Sequence, residues 1–377
     1  MTATNRETDG LVPRCESPML QPWEAYDPAL FDQEMVRVFG RSWVWLGDTE
    51  DLADAGDFIT GQIGMQQVVV VRSGDGTVRG FLNNCRHRAA SVASDPVGNC
   101  GSTMTCPYHN WAYDLEGRLV GIPDRVRMYP DGIDMASLGL VEIRIEVAWN
   151  KLVFGCLSHR APTFREWIAP IAERYDRYRF DTFRRYPRQL EQEYPINWKA
   201  FVENSNDDYH VRFVHRRLNS QRRSLDTMVR FDGRTCSGYK PHPNGFDTTG
   251  GRADLDPEVL GGHYADFIYP TLTPLPYPTM LIMVRADPLA PDRTRLVSRI
   301  YGRDRTAQEM EADMQNVELT NREDTDMVTQ LMRNLRSPFY RVGPPTTWEG
   351  RAAHVMRMVR ADVATPLATD EFTAPIR

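Results

Sequence analysis

The chain has 377 residues, a formal net charge of -6, 41% apolar residues and 25% charged residues. That is the balance of a soluble globular protein with room for about two domains, and the acidic excess argues against nucleic acid or an anionic membrane surface as a partner. No apolar run reaches the roughly 20 residues of a membrane span, and the polar start MTATNRETDG carries no secretory signal, so the expected address is the cytoplasm.

In chain order, residues 1–20 form a polar arm. Pro22 to Phe39 reads as one helix, with Pro22 near its start and Ala29, Leu30, Met35, Val36 and Val38 as apolar positions. From Trp43 to about Phe154 the period changes. Short β-rich runs at 67–72, 77–82, 141–147 and 151–154 alternate with turns such as Gly74-Asp75-Gly76. Residues 159–190 are rich in Arg and aromatics and in part helical. A helical stretch follows at 196–214. Strands at 280–285 and 295–301 flank the turn Ala290-Pro291-Asp292, and long helices are expected at 307–335 and 350–363. The fold class is α+β: an arm and helix over 1–42, a small all-β domain over 43–158, and a larger α+β domain over 159–377.

Six cysteines are present, and two of them, Cys85 and Cys106, stand beside histidines. Residues 85–87 read C-R-H and residues 106–109 read C-P-Y-H. Cys85, His87, Cys106 and His109 thus form two short pairs with metal-ligand spacing. Zinc accepts such a set in a tetrahedral site. A Rieske-type [2Fe–2S] cluster uses it too, with both thiolates on one iron and both imidazoles on the other. The remaining cysteines, Cys15, Cys100, Cys156 and Cys236, read as packing or surface residues.

C-x-H followed by C-P-Y-H-x-W closely resembles the Rieske motif of ring-hydroxylating oxygenase large subunits, as does the following Tyr113-Asp114-Leu115-Glu116-Gly117-Arg118-Leu119. Ala90 and Tyr108 stand where respiratory Rieske proteins carry two further cysteines, which favours the oxygenase or ferredoxin type. Ala89 and Asn110 depart from the family's common glycines.

A second constellation follows at residues 207–215. Two histidines and a carboxylate with open coordination positions suit a non-haem Fe(II) site that must admit O2. On a straight helix Asp207 and His210 share a face, about 60° apart, whereas His210 and His215 diverge by about 140°. A helix end or π-type turn is therefore expected between the two histidines. Val317, Asp324, Met327, Val328, Leu331 and Leu335 fall on one face of the helix around residue 324, which points Asp324 into an apolar stripe and leaves Glu323 and Asp326 solvated. The stretch from Glu323-Asp324 to Ser337 also resembles the family segment that supplies the iron carboxylate. The resemblance gives Asp207 a bridging role, bonding His210 on one side and His109 of a neighbouring subunit on the other. Read from the residues alone, Asp207 remains open as a third ligand or a helix-end charge.

The family resemblance covers most of the chain and implies an antiparallel sheet with helices of the helix-grip type. It implies a catalytic subunit that uses a Rieske [2Fe–2S] cluster and mononuclear Fe(II) to insert oxygen from O2 into a small organic, aromatic substrate. It further implies electrons from NAD(P)H through a separate reductase, with or without a ferredoxin, and a homotrimer, with or without a small beta subunit. No nicotinamide or flavin fingerprint occurs in the chain, which fits an external reductase. The alternative is an electron-transfer or metal-binding protein without oxygen chemistry, which leaves residues 207–324 unexplained. Asn204, Glu203 and Tyr209 are expected near the iron, Trp198 and Phe201 in the core. The basic run Arg216, Arg217, Arg222 and Arg223 reads as a solvated loop, and His159, His242, His263 and His354 as ordinary residues.

Overall fold

The computed structural model describes residues 17–216, 228–241 and 257–372. The expected first helix is two. α1 (Pro22–Tyr26) ends at Asp27, and α2 (Pro28–Arg37) begins afresh with Pro28 at its first position. Asp27 accepts from the Ala29 N–H at 2.8 Å. Pro28 cannot donate to a preceding turn, so a Pro after an Asx cap starts a helix and does not continue one.

The β-rich region folds as expected into an antiparallel sheet. β1 (Val44–Asp48), β2 (Asp57–Ile63), β3 (Gln66–Arg72), β4 (Val78–Leu82), β5 (Val97–Asn99), β9 (Glu142–Ala148) and β10 (Leu152–Cys156) make a seven-stranded sheet in the order β1-β10-β9-β4-β3-β2-β5. Between them β6 (Thr103–Thr105), β7 (Ala112–Asp114) and β8 (Leu119–Gly121) form a small separate sheet. The two Cys/His motifs occupy the connections β4–β5 and β6–β7.

The second half begins with α3 (Ala169–Tyr178) and is built on a larger antiparallel sheet. β11 (Arg184–Arg185), β12 (Leu190–Tyr194), β13 (Met228–Asp232), β14 (Thr235–Pro241), β15 (Gly262–Ile268), β16 (Leu272–Tyr277), β17 (Met280–Ala290) and β18 (Arg293–Gly302) belong to it, with both β11 and β12 pairing β18. The strand pair around Ala290-Pro291-Asp292 is thus present and longer than its apolar runs. The stretch 196–214 holds two helices, α4 (Trp198–Ser205) and the single turn α5 (Val211–Val214), with α6 (Ala307–Leu335) and α7 (Gly350–Ala364) following. One buried cluster runs from Trp45 and Phe154 of the first sheet through Tyr175, Phe180 and Trp198 to Tyr301 of the second.

The buried line of α6 differs from the expected stripe. Met310, Met314, Val317, Asn321, Thr325, Val328, Met332 and Leu335 face the core, while Met327 and Leu331 are 43% and 42% exposed. Polar residues hold part of the inward face because they are satisfied there: Asn321 donates to Ser298 Oγ at 2.9 Å and Thr325 to the Asn321 carbonyl at 2.8 Å. Asp324 lies at the edge of this line. Cys15, Arg217, Arg222, Arg223 and His242 fall outside the described residues.

Candidate metal centres

The two Cys/His loops are built alike. The Cys85 N–H bonds Ala90 O and the Ala89 N–H returns to Cys85 O. Likewise the Cys106 N–H bonds Trp111 O and the Asn110 N–H returns to Cys106 O. Each loop closes through a left-handed residue, Ala89 at φ 60° and Asn110 at φ 55°. These are the two positions where glycine is common, and the backbone explains why. Asn tolerates that region better than Ala does.

The loops sort their ligands by burial. Cys85 and Cys106 are 4% and 1% exposed, whereas His87 and His109 reach the surface with ring centroids 4.6 Å apart. His87 stacks on Trp111. The Cys85 sulfur lies 3.2 Å from the Tyr113 hydroxyl, which also accepts from the Arg86 N–H at 3.0 Å. Burial pushes the Cys85 thiol up, so a thiolate there needs cationic charge beside it. Desolvation, His109 and Arg88 hold His87 below the ordinary histidine value, which favours a neutral imidazole. Two sunken thiols beside two outward imidazoles fit a cluster with one iron on each pair.

The second constellation resolves the spacing problem as expected, by a helix end. α4 stops at Ser205. His210 precedes the single turn α5 and His215 follows it with non-helical torsions (φ -92°, ψ 67°). The imidazoles come within 5.4 Å, centroid to centroid. Their Nε2 atoms lie 3.3 Å (His210) and 3.0 Å (His215) from the same atom, Asp324 Oδ1. Among the described residues these three form a group able to hold a metal ion.

Both Nδ1 atoms are engaged by other carboxylates: His210 with Asp207 Oδ2 at 3.1 Å, and His215 with Glu323 Oε2 at 2.8 Å. Those bonds place the protons on Nδ1 and turn both Nε2 lone pairs toward Asp324 Oδ1. Three acceptors then meet, and Asp324 Oδ1 is buried without a donor. An added proton or a metal ion satisfies such a point. Burial would depress His210, but Asp207 and Asp324 outweigh it and lift it to about 9. Burial would likewise raise Asp324, yet the two histidines hold it at about 2. A divalent ion fits the place that an added proton would otherwise take.

Asp207 therefore touches an imidazole and stands back from the convergence point. Glu323 was expected in solvent and instead braces His215. Its only sequence signal is adjacency to Asp324, since periodicity turns it off the buried face. Asn204 lines a cavity beside the group, whereas Glu203 turns away to accept from the Leu20 N–H and Tyr209 is exposed against Phe213. The cavity measures about 500 Å³ and is lined by His210, His215 and Asp324. Leu275, Met280, Ile282 and Val284 supply an apolar wall, and Asn316 and Thr320 of α6 a polar one. His263, read as ordinary, lies in this lining, as does the expected core residue Phe201.

Residues 42–136 match the Rieske [2Fe-2S] domain, and residues 173–365 match the ring hydroxylating alpha subunit (catalytic domain). The chloroplastic choline monooxygenase of Amaranthus tricolor is 27% identical over 334 residues, 84% of this chain and 71% of that protein. The large oxygenase component of the naphthalene 1,2-dioxygenase system of Pseudomonas aeruginosa is 29% identical over 62% of this chain, which spans only 48% of that protein. A solved quaternary ammonium Rieske monooxygenase, described with carnitine oxidation and inter-subunit electron transfer, superposes with a TM-score of 0.78 at 20% identity, covering 93% of this chain and 98% of that one. This likeness gives the fold. Among the described residues no helix is long and apolar enough to cross a membrane. The chain belongs to the ring-hydroxylating oxygenase alpha-subunit family, enzymes of the Rieske oxygenase type whose cofactors are a Rieske [2Fe–2S] cluster and a mononuclear iron.

Proposed function

We propose that this chain is the oxygenase component of a multicomponent system that uses O2 to hydroxylate a small organic substrate. The observation that carries the reading is the convergence of His210 and His215 Nε2 on Asp324 Oδ1 in the wall of a cavity. We assign His210, His215 and Asp324 to the mononuclear iron, and Cys85, His87, Cys106 and His109 to the cluster. Residues 43–158 then serve electron transfer and residues 159–377 the oxygen chemistry. An electron carrier alone would have no use for the second group.

When bound, the iron supplies the centre that activates O2 and the cluster supplies electrons for it. The chain's own residues do the rest. Asp207 and Glu323 hold protons on the two Nδ1 atoms and so keep both lone pairs directed at one point. Leu275, Ile282 and Val284 exclude water and receive the carbon skeleton of the substrate. An aromatic skeleton suits that wall. The choline- and carnitine-oxidising relatives make quaternary ammonium compounds the competing class.

The electrons come from NAD(P)H through a separate reductase, with or without a ferredoxin, which accords with a relative named as one component of a system. His109 is exposed, and the Asp207 side chain retains 17% exposure. That suits a contact between His109 and Asp207 of neighbouring copies in a homotrimer, with or without a small beta subunit. The proposed setting is the cytoplasm.

Metal analysis tests the reading. The purified chain is expected to hold iron beyond the cluster's pair, and Asp324→Ala to keep the cluster's colour while losing that extra iron and turnover. Retention of the extra iron by Asp324→Ala would show that the third ligand lies elsewhere. Product masses from aromatic acids, amines and quaternary ammonium compounds, offered with O2 and a reductase, decide the substrate class.

A further inference from the structure

The loop that delivers Asp207 and His210 is fastened by side chains. The Asp207 N–H still bonds Asn204 O, but among the described residues the N–H groups of residues 208–210 make no bond to another main-chain oxygen. The Tyr209 N–H goes to the Asp207 carboxylate at 2.6 Å. A further anchor is Asp208. Its Oδ2 accepts from Arg351 Nη2 at 2.8 Å, and its Oδ1 lies 2.9 Å from Lys240 Nζ. All three side chains are buried.

The two cations come from different parts of the fold. Arg351 sits in the first turn of α7 and also donates Nη1 to Ala265 O of β15 at 2.9 Å. Lys240 lies on β14, paired with His263 of β15. One carboxylate thereby ties the 206–210 loop to a helix and to a strand pair, and the three side chains line the same cavity as the proposed iron ligands. The adjacent acids divide the work: Asp207 turns to the imidazole and Asp208 to the interior. Charge-assisted bonds of this kind are short and directional, and a metal ligand on a loop is only as well placed as the groups that hold the loop.

We propose that Asp208 is a positioning residue, whose ion cluster with Arg351 and Lys240 fixes where His210 and Asp207 stand and so sets the geometry of the iron site. The proposal rests on the assignment of His210 as a ligand.

Asp208→Asn in the full chain keeps the shape and an acceptor for Arg351 but removes the charge. The cluster's visible spectrum should be unchanged. Co(II) placed at the mononuclear site should bind about tenfold more weakly, with displaced d–d bands. With iron, kcat should fall at unchanged KM. Arg351→Lys keeps the charge but loses the second donor, so it should show a smaller shift of the same kind. It also supplies the measurement if Asp208→Asn does not fold. His210→Ala is the control and should abolish Co(II) binding. Parental Co(II) affinity and bands in both clamp variants overturn the positioning role, including where the thermal midpoint alone has dropped. Co(II) binding retained by His210→Ala overturns instead the ligand assignment beneath it.

Discussion

Glu203 offers a quantitative test of how the N-terminal segment is held against α4. It sits on α4, one turn before Asp207, and is 9% exposed. Its Oε1 accepts from the Leu20 N–H at 2.5 Å, while Arg360 fastens the same segment by donating to Pro18 O and Met19 O. Burial lifts the Glu203 carboxyl to about 8; the Leu20 N–H and Arg360 oppose this and Glu24 and Glu349 add to it. In the unfolded chain the group returns to the ordinary glutamate value, near 4.3. The folded state thus keeps a proton that the unfolded state has released. The resulting stability is fully present below the unfolded value and is lost as pH rises through the folded one. The slope is about 1.36 kcal/mol per pH unit, which makes a loss of about 2 kcal/mol between pH 6 and pH 8. Glu203→Gln keeps the acceptor for Leu20 and removes the ionisation. Urea unfolding of parent and variant at pH 6, 7 and 8 cancels the other titrations. The variant should gain on the parent by about 2 kcal/mol over that interval, and parallel curves would refute the buried, proton-holding carboxyl.

Three further outcomes are expected. Cys85→Ala should bleach the visible spectrum of the cluster, and an unchanged spectrum would remove Cys85 from the ligand set. Glu323→Ala leaves His215 Nδ1 without its acceptor, so iron at the mononuclear site should be held about tenfold less tightly while the cluster's spectrum stays intact; parental iron retention in dialysis would deny Glu323 its orienting role. Ala89→Gly relieves a left-handed alanine and should stabilise the cluster-bearing loop by about 1 kcal/mol, read as a higher midpoint for thermal loss of cluster absorbance, whereas a lower midpoint would mean that the gain in unfolded-state freedom dominates.

What the sequence disclosed and what it hid follow from how far each constraint reaches along the chain. Ligand pairs such as Cys85/His87 and Cys106/His109 each lie within one tight loop, so their spacing announces a metal site and the resemblance of their neighbours names the cluster. The five-residue gap between His210 and His215 was equally telling, because helical geometry forbids them a shared ion unless the helix breaks, and α5 does end at Val214 with His215 outside helical torsions. Asp324 was found far along the chain because a carboxylate stood close to an apolar line and its segment resembles the one that supplies the family's iron carboxylate. That line was itself drawn wrongly. Met327 and Leu331 are apolar and outward, while Asn321 and Thr325 are polar and inward, since a buried hydrogen bond offsets the cost that a pattern of apolar residues assumes. Glu323 and Asp208 were missed for a different reason. Each owes its role to a partner far off in the sequence, His215 for the one and Arg351 for the other, and neither a period nor a short motif encodes such a pairing. Most of the proposed metal ligands are legible from local spacing, whereas the residues proposed to aim them are defined only once the strands and helices have brought distant charges together. Substitutions at those aiming positions should therefore change the chemistry while leaving every recognisable motif in place.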